Sequence, residues 1–356
     1  MRIHPFVHTL LEWYPRHHRD LPWRNTNDPY IIWLSEIILQ QTRVAQGLPY
    51  FLKFLDHYPD VQSLANAPIE DVMRLWQGLG YYSRARNLHE CAKMVVHDYG
   101  GTFPNNYKDL LKLKGVGSYT AAAIASFAFG EQVAVVDGNV FRVLSRYFGI
   151  FTDIATPAGK KEFETLANQL IPADVPDVFN QSIMEFGALQ CVPKSPDCLV
   201  CPLADSCFAF INNHVGDLPK KEKKVKVRKR FFKYIHIRCG QFIVIRERQE
   251  GDIWQGLHDF PKIEKKTLDE LCDWEGGING LEDFVTLNVE ESSHIFKHIL
   301  THQRIFANFV KFVIDEKEKD KLFQWAKEHG YLLVSDEQFE NLGKPRLISK
   351  YLNQEK

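Results

Sequence analysis

Leu113-Lys-Gly115-Val-Gly117-Ser-Tyr119-Thr-Ala121 is the stretch on which the reading of this chain turns. Its two glycines precede the small-residue run Thr120–Ala128, a pattern that fits a tight turn opening a helix. Such a turn aims backbone N–H groups out of a helix N-terminus, where a phosphate oxygen is a suitable acceptor and no base is read. Gly115 and Gly117 are therefore candidate DNA-phosphate contacts, although the motif alone also suits a plain turn between packed helices. Further on, Val135-Val-Asp137-Gly-Asn139-Val opens another periodic segment, Phe141–Tyr147. An Asp before Gly at a helix start is by default an N-cap.

From Pro29 to about Phe210 apolar residues recur at three and four, as in Ile31, Leu34, Ile37 and Ile38, so this half is expected to be all-α. After Val215 the texture changes. Tyr234–Ile237, Gln241–Ile245 and Arg304–Ile314 read as strands, Asp315–Glu328 as a charged helix, and an α+β domain is expected from about Phe232. Between the halves Lys220–Lys233 holds nine basic residues and one acid, Glu222; it reads as a solvated linker, with or without phosphate contacts.

Four cysteines fall within seventeen residues, Cys191, Cys198, Cys201 and Cys207, as C-x6-C-x2-C-x5-C. A single C-x2-C with two wider gaps differs from the paired knuckles of zinc sites and favours an iron–sulfur cluster. Pro193, Pro196 and Pro202 suit a loop wrapped around it. Unpaired core thiols or two disulfides are the alternative.

With 356 residues, 45% hydrophobic and 25% charged, the composition is that of a two-domain globular protein. Met1–Leu11 lacks an apolar signal stretch and there is no long apolar run, so export and membrane insertion are not expected; a reducing cytoplasm is. Cys91, Cys239 and Cys272 then read as buried thiols. A formal charge of −1 leaves any nucleic-acid affinity to local clusters.

The turn, the V-D-G-N-V segment and the cysteine run together resemble the helix-hairpin-helix DNA glycosylases that carry an iron–sulfur cluster. Leu21-Pro-Trp-Arg24, Ser35–Thr42, Gly78–Arg84 and Met184-Glu-Phe-Gly187 narrow the resemblance to the MutY branch, which removes adenine mispaired with 8-oxoguanine or guanine. The resemblance implies a six-helix domain over about 22–134, and an iron–sulfur domain built from 1–21 with 135–211, the cysteines holding a [4Fe-4S] cluster. A basic linker, 212–231, and a Nudix-like domain, 232–356, would follow. The implied partner is double-stranded DNA with an A:8-oxoguanine or A:G mispair, bound by a monomer associated with the nucleoid in the cytoplasm.

Hydrolysis of an adenine glycosidic bond needs a proton delivered to the base and stabilisation of an oxocarbenium-like sugar. Glu36, inside the apolar segment Ile31–Leu39, would be desolvated and kept protonated, which makes it the candidate acid; without the resemblance it reads as a partly exposed helix residue. Asp137, at a helix start, would be held ionised by N–H donors and the helix dipole, as nucleophile or cation stabiliser. Tyr119 stands where the related endonuclease III family has a lysine, so no amine is available for strand cleavage; it would position Asp137 or the sugar, or pack beneath the hairpin. By resemblance Asn139 joins the catalytic set, Thr42 and Arg84 join the phosphate contacts, and Gln41 and Tyr81 wedge between bases. Trp23, Arg24 and Glu185 would line the adenine pocket. Trp23 and Tyr81 could equally be core aromatics, and Arg24 with Glu185 an ion pair.

Phe242–Arg248 and Ile253–Pro261 resemble the C-terminal Nudix-like domain of the same branch. The glutamate-rich magnesium-binding run of a Nudix hydrolase is missing between Phe260 and Gly280, so the domain is expected to bind and not hydrolyse. Phe296, Lys297 and His298 stand where the branch has a Phe-Ser-His loop that recognises 8-oxoguanine, with Lys297 as a departure. His294, His298 and His302 stand four apart, a spacing that discriminates poorly for metal.

Overall fold

The computed structural model describes residues 3–222, 227–272, 278 and 280–354. Lys223, Lys224 and Lys226 of the basic run, and the side chain of Cys272, lie outside the described residues. The chain divides into two compact units, Met1–Asn66 with Asn87–Lys223, and Ala67–Arg86 with Lys224–Lys356.

The helical half comprises α1 (Pro5–His17), α2 (Pro29–Leu39), α3 (Val44–His57), α4 (Val61–Asn66), α5 (Ile69–Leu75), α6 (Ser83–Tyr99), α7 (Tyr107–Leu110), α8 (Ser118–Phe129), α9 (Gly138–Phe148), α10 (Pro157–Leu170), α11 (Pro176–Leu189) and α12 (Phe208–Ile211). Their starts follow local chemistry. Asp28 accepts from the Tyr30 N–H ahead of Pro29, and Thr156 accepts from Gly159 ahead of Pro157. Helix α1 lies upstream of the expected helical span. It buries Phe6, Val7, Leu10 and Trp13 on one face, against Val140, Leu144, Phe163, Phe179 and Phe186 of α9, α10 and α11. Gly115 sits at φ +75°, where a Cβ would come within 2.6 Å of the Asn87 Cβ, so the turn ahead of α8 requires glycine.

In the second unit eight strands form a mixed sheet: β1 (Arg228–Cys239), β2 (Phe242–Glu247), β3 (His258–Asp259), β4 (Lys262–Lys265), β5 (Thr286–Glu291), β6 (Phe296–Ile299), β7 (Gln303–Ile314) and β8 (Leu332–Ser335). The order is β3-β2-β1-β7-β5, with β4 on β1, β6 on β7 and β8 on β2; only β1 and β7, among the described residues, run parallel. Helices α13 (Leu268–Cys272), α14 (Lys319–Glu328), α15 (Asp336–Asn341) and α16 (Arg346–Leu352) complete it. Odd residues of β1, Ile235, Ile237 and Cys239, pack with Leu322 and Trp325 of α14. Even residues Tyr234 and His236 meet Phe309, Phe260 and Tyr351 on the other face. Coverage of both faces explains the nearly continuous apolar reading of this strand.

Ala67–Arg86 groups with this unit through bonds such as Gln77 Nε2 to Ser349 Oγ, 3.3 Å, and Arg86 Nη1 to the Gln255 carbonyl, 2.6 Å. The basic run does not stay a linker to its end. Arg228 onward is β1, Arg230 bridges Asp252 and Glu264, and Lys233 is fully buried on Glu291 and the Leu271 carbonyl. These two cations are consumed by carboxylates of their own sheet, which removes them from phosphate contact. Cys91 and Cys239 are buried, as expected. Among the described residues no helix is long and apolar enough to cross a membrane.

Candidate active site

The hairpin turn, the V-D-G-N-V cap and two long helices converge on one cavity of about 210 Å³ in the first unit. Helix α2 delivers Glu36, the first turn of α8 Tyr119, the start of α9 Asp137 and Asn139, and α11 Glu185; Trp23, Arg24 and Thr42 also line it. Residues far apart in sequence are thus gathered around a space of ligand size.

Burial pushes the Glu36 carboxyl up to about 7; Asp137 pushes the same way, while a hydrogen bond to Tyr119 and the Arg24 charge oppose it. A carboxyl so placed is half protonated near neutrality. The Tyr119 hydroxyl is engaged by Glu36, where the sequence pointed to Asp137 or the sugar; burial and the two nearby carboxylates push it well above its ordinary value. Asp137 caps α9: its Oδ1 accepts from the N–H of Asn139, 2.9 Å, and of Val140, 2.8 Å, while its Oδ2 accepts from Asn139 Nδ2, 2.7 Å. The expected lowering is not the net result. Burial, the largest effect, raises the Asp137 carboxyl from its ordinary value against those bonds and Arg142.

Arg142 was not visible as a site residue. It is buried, and its guanidinium donates to Asn139 Oδ1, 2.9 Å, to the Gly187 carbonyl, 2.7 Å, and to the Cys191 carbonyl, 2.7 Å. One side chain thus ties the group that orients Asp137 to the start of the cysteine loop.

Arg24 and Glu185 form an ion pair, with Arg24 Nη2 2.7 Å from Glu185 Oε2, and they line the cavity as well. Arg19 adds a second, two-pronged contact at 2.7 and 2.6 Å, and its backbone N–H a third at 2.9 Å. Burial alone would push the Glu185 carboxyl up; the hydrogen bonds from Arg19 and Arg24 outweigh it and hold it at about 2. Its contribution to stability is therefore present above the ordinary carboxylate range and is lost as pH falls through about 2. Glu185→Gln is expected to cost about 2 kcal/mol at neutral pH, tempered by the partial exposure of Arg19, and denaturant unfolding will measure it.

Trp23 packs edge-on against Phe51 at 5.1 Å. Gln41 is exposed and holds φ +56° just beyond α2. In the second unit Tyr81 holds φ +49°, is 46% exposed and hydrogen-bonds Thr301 Oγ1. Left-handed backbone at non-glycine residues costs about 1 kcal/mol or more and collects at functional positions.

Arg84 and residues 296–298 are placed differently from the phosphate contact and the loop expected of them. Arg84 is buried: its guanidinium lies 5.0 Å over the Trp76 ring, it donates to the Gly80 carbonyl at 3.3 Å, and burial pushes it down to about 10. That packing withholds it from a phosphate. Residues 296–298 form strand β6 and not a loop, because they pair with β7. Phe296 is buried against Phe309 and Tyr351, while Lys297 remains exposed; burial, with Lys350 and Arg346, pushes His298 down to about 4.

The four cysteines are free thiols lining one cavity, so the disulfide alternative is not realised. Arg146 donates to Cys191 Sγ at 3.4 Å and to the Val192 and Pro193 carbonyls at 2.8 and 3.1 Å, which fixes the loop. Among the described residues no three Cys, His, Asp or Glu side chains are drawn up tightly enough for a single metal ion. Four thiols facing one cavity offer the soft sulfur donors that an iron–sulfur group takes.

A glycine turn leading a helix, with two buried carboxylates across a cavity, defines the class of helix-hairpin-helix base-excision proteins. Residues 34–173 match the HhH-GPD superfamily base excision DNA repair protein model, and residues 233–354 the NUDIX domain model. An adenine DNA glycosylase of Buchnera aphidicola subsp. Baizongia pistaciae (strain Bp) is 34% identical over 315 residues, 87% of each chain. That of Rattus norvegicus is 45% identical over 360 residues, 84% of this chain and 69% of the relative. A thermostable thymine-DNA glycosylase is structurally similar, with TM-score 0.55 and 36% identity, over 58% of this chain and 95% of the other. The chain belongs to the adenine DNA glycosylase (MutY) family.

Proposed function

We propose that the chain excises adenine from duplex DNA by hydrolysing its N-glycosidic bond, at positions where adenine faces 8-oxoguanine or guanine. The observation that carries this reading is the pair of carboxylates at one cavity, Glu36 raised to about 7 and Asp137 clamped by Asn139. Glu36 donates its proton to the adenine ring, which turns a poor leaving group into a neutral one. Asp137 meets the cationic sugar that results, stabilising it or bonding to it until water arrives. Tyr119 fixes the acid, and with no amine at its position the reaction stops at the abasic site.

Trp23, Arg24 and Glu185 bound the pocket that takes the flipped base. Backbone N–H groups at Gly115–Gly117, with Thr42, hold the phosphates, and the strained Gln41 and Tyr81 fill the gap in the stack. The Nudix-like unit reads the damaged base without hydrolysing a nucleotide, using the exposed Lys297 and the adjoining backbone in place of the buried Phe296 ring.

Cys191, Cys198, Cys201 and Cys207 would hold a [4Fe-4S] cluster. When bound, it supplies four strong cross-links to their loop; the hydrolysis itself draws no electron from it. As-isolated protein is expected to show broad visible absorption with iron and sulfide in equal amounts, and Cys198→Ser to lose both. Zinc without sulfide would overturn the assignment.

The deciding assay is release of adenine from a duplex carrying one A opposite 8-oxoguanine, with an A:G duplex alongside. Free adenine is expected, with the strand intact until alkali is added. A protein that binds the duplex and releases no base would overturn the reading.

A further inference from the structure

The second unit contains a cavity of about 780 Å³ that the glycosylase reaction does not use. It opens at the C-terminal ends of the parallel strands β1 and β7. His236 and Arg238 share one face of β1 because they are two apart, and the register sets Lys311 of β7 beside His236 and Val313 beside Arg238. Ile243, Leu287, Phe339 and Leu352 supply apolar wall.

His236 is 1% exposed and held by two aromatic residues. Its ring stacks on Phe260 at 4.5 Å and meets Tyr351 edge-on, while its Nδ1 lies 3.0 Å from the Tyr351 hydroxyl. Its Nε2 is buried with no hydrogen-bond partner among the described residues. A buried polar atom without a partner costs about 1–3 kcal/mol, so one retained at the wall of a ligand-sized cavity marks a place where a ligand atom belongs.

The surroundings specify the ligand's charge at this end. Arg238 and Lys311 both press on the imidazole and, after burial itself, account for its lowered basicity. Arg238 is oriented by Asp336, 2.7 Å from Nη2, and its other hydrogen bond, to the Gly240 carbonyl, also leaves from Nη2. Nε and Nη1 therefore remain for a ligand. Glu316 and Glu340 also line the cavity and favour hydrogen-bond donors on the rest of the molecule.

We propose that this cavity binds a small phosphate-bearing molecule, with the phosphate oxygens taken by His236 Nε2, Arg238 and Lys311. A phosphate presents several oxygens to converging donors of different kinds, which a single carboxylate does not.

The test uses the full chain with two probes, inorganic phosphate and adenosine 5′-monophosphate, followed through the His236 imidazole resonances and by calorimetric titration. Saturable shifts of His236 with both probes are expected, with the nucleotide tighter if the whole cavity is used and the two equal if the phosphate end alone is. Lys311→Met, which leaves the stacking of His236 on Phe260 and its Tyr351 contact in place, should weaken both at least about tenfold while leaving adenine release unchanged. Arg238→Gln should weaken them further. A His236 signal that stays fixed as either probe approaches tens of millimolar would overturn the proposal, and so would binding that is indifferent to Lys311→Met.

Discussion

Replacing Glu36 by Gln is expected to slow adenine release by about 1000-fold or more while making the folded protein more stable at pH 8. The rate effect follows from the proton. Gln has none to give to the adenine ring, yet it keeps the shape of the side chain and an oxygen for the Tyr119 hydroxyl. The stability effect follows from burial. The folded carboxyl keeps its proton up to about pH 7, the unfolded one only to about 4.5. For a group whose folded value is raised, the contribution that favours folding is fully present below the unfolded value and is lost as pH rises through the folded one. Above pH 7 the native state holds a carboxylate in a desolvated cavity, at a cost of up to about 3 kcal/mol. Glu36→Gln removes that cost, so its melting temperature should exceed wild type at pH 8 and match it near pH 4.5. By the same argument, single-turnover excision by wild type should decline as pH rises through about 7, where the acid is lost. Single-turnover rates across this range, with melting curves beside them, measure all three; a variant within tenfold of the wild-type rate would remove Glu36 as the acid.

How much of this was legible beforehand depended on whether the responsible interactions were local. The turn before α8, the cap at Asp137 and the apolar run around Glu36 are each set by residues within a few positions in the sequence, so the local pattern of each was readable, although only the resemblance singled out Glu36 as the acid. The clamp on Glu185 was half visible. Its pairing with Arg24 stood as an alternative, but Arg19 reaches across 166 positions and nothing in spacing announces it. Arg142 likewise reads as one more polar residue on an amphipathic helix until the fold brings Gly187 and Cys191 to it. Burial was the commonest source of error. Asp137 has the donors that lower a carboxyl, yet the first-ranking effect on it is desolvation, which requires the packing of α8, α9 and α11 around it. Arg84, Arg230 and Lys233 carry charge in a string of letters, and only the folded chain shows that charge already spent on a tryptophan face or a neighbouring carboxylate. Phe296 was expected in a loop by resemblance alone, and its strand shows only when β7 pairs with it.

Asp137→Asn separates two jobs that one side chain performs. As an N-cap, Asn is about as good as Asp: its Oδ1 can still accept from the N–H groups of Asn139 and Val140. What it cannot keep is the bond at the other oxygen. The new Nδ2 faces Asn139 Nδ2, a donor, and Asn139 is not free to turn over because its own Oδ1 accepts from Arg142. One buried hydrogen bond is thereby replaced by two opposed donors, a loss of about 1 kcal/mol that denaturant unfolding will register. The catalytic loss is of another order. A neutral amide offers little to a sugar approaching a cation, and it cannot bond to the sugar carbon, so excision should fall about 1000-fold or more while duplex binding persists. Asn139→Ala supplies the comparison. It leaves the carboxylate but removes the amide that orients it and frees the Arg142 prong, so its rate should lie between wild type and Asp137→Asn. If Asp137→Asn lost no more activity than Asn139→Ala, the carboxylate would be a cap alone, and the sugar cation would need another partner in the cavity.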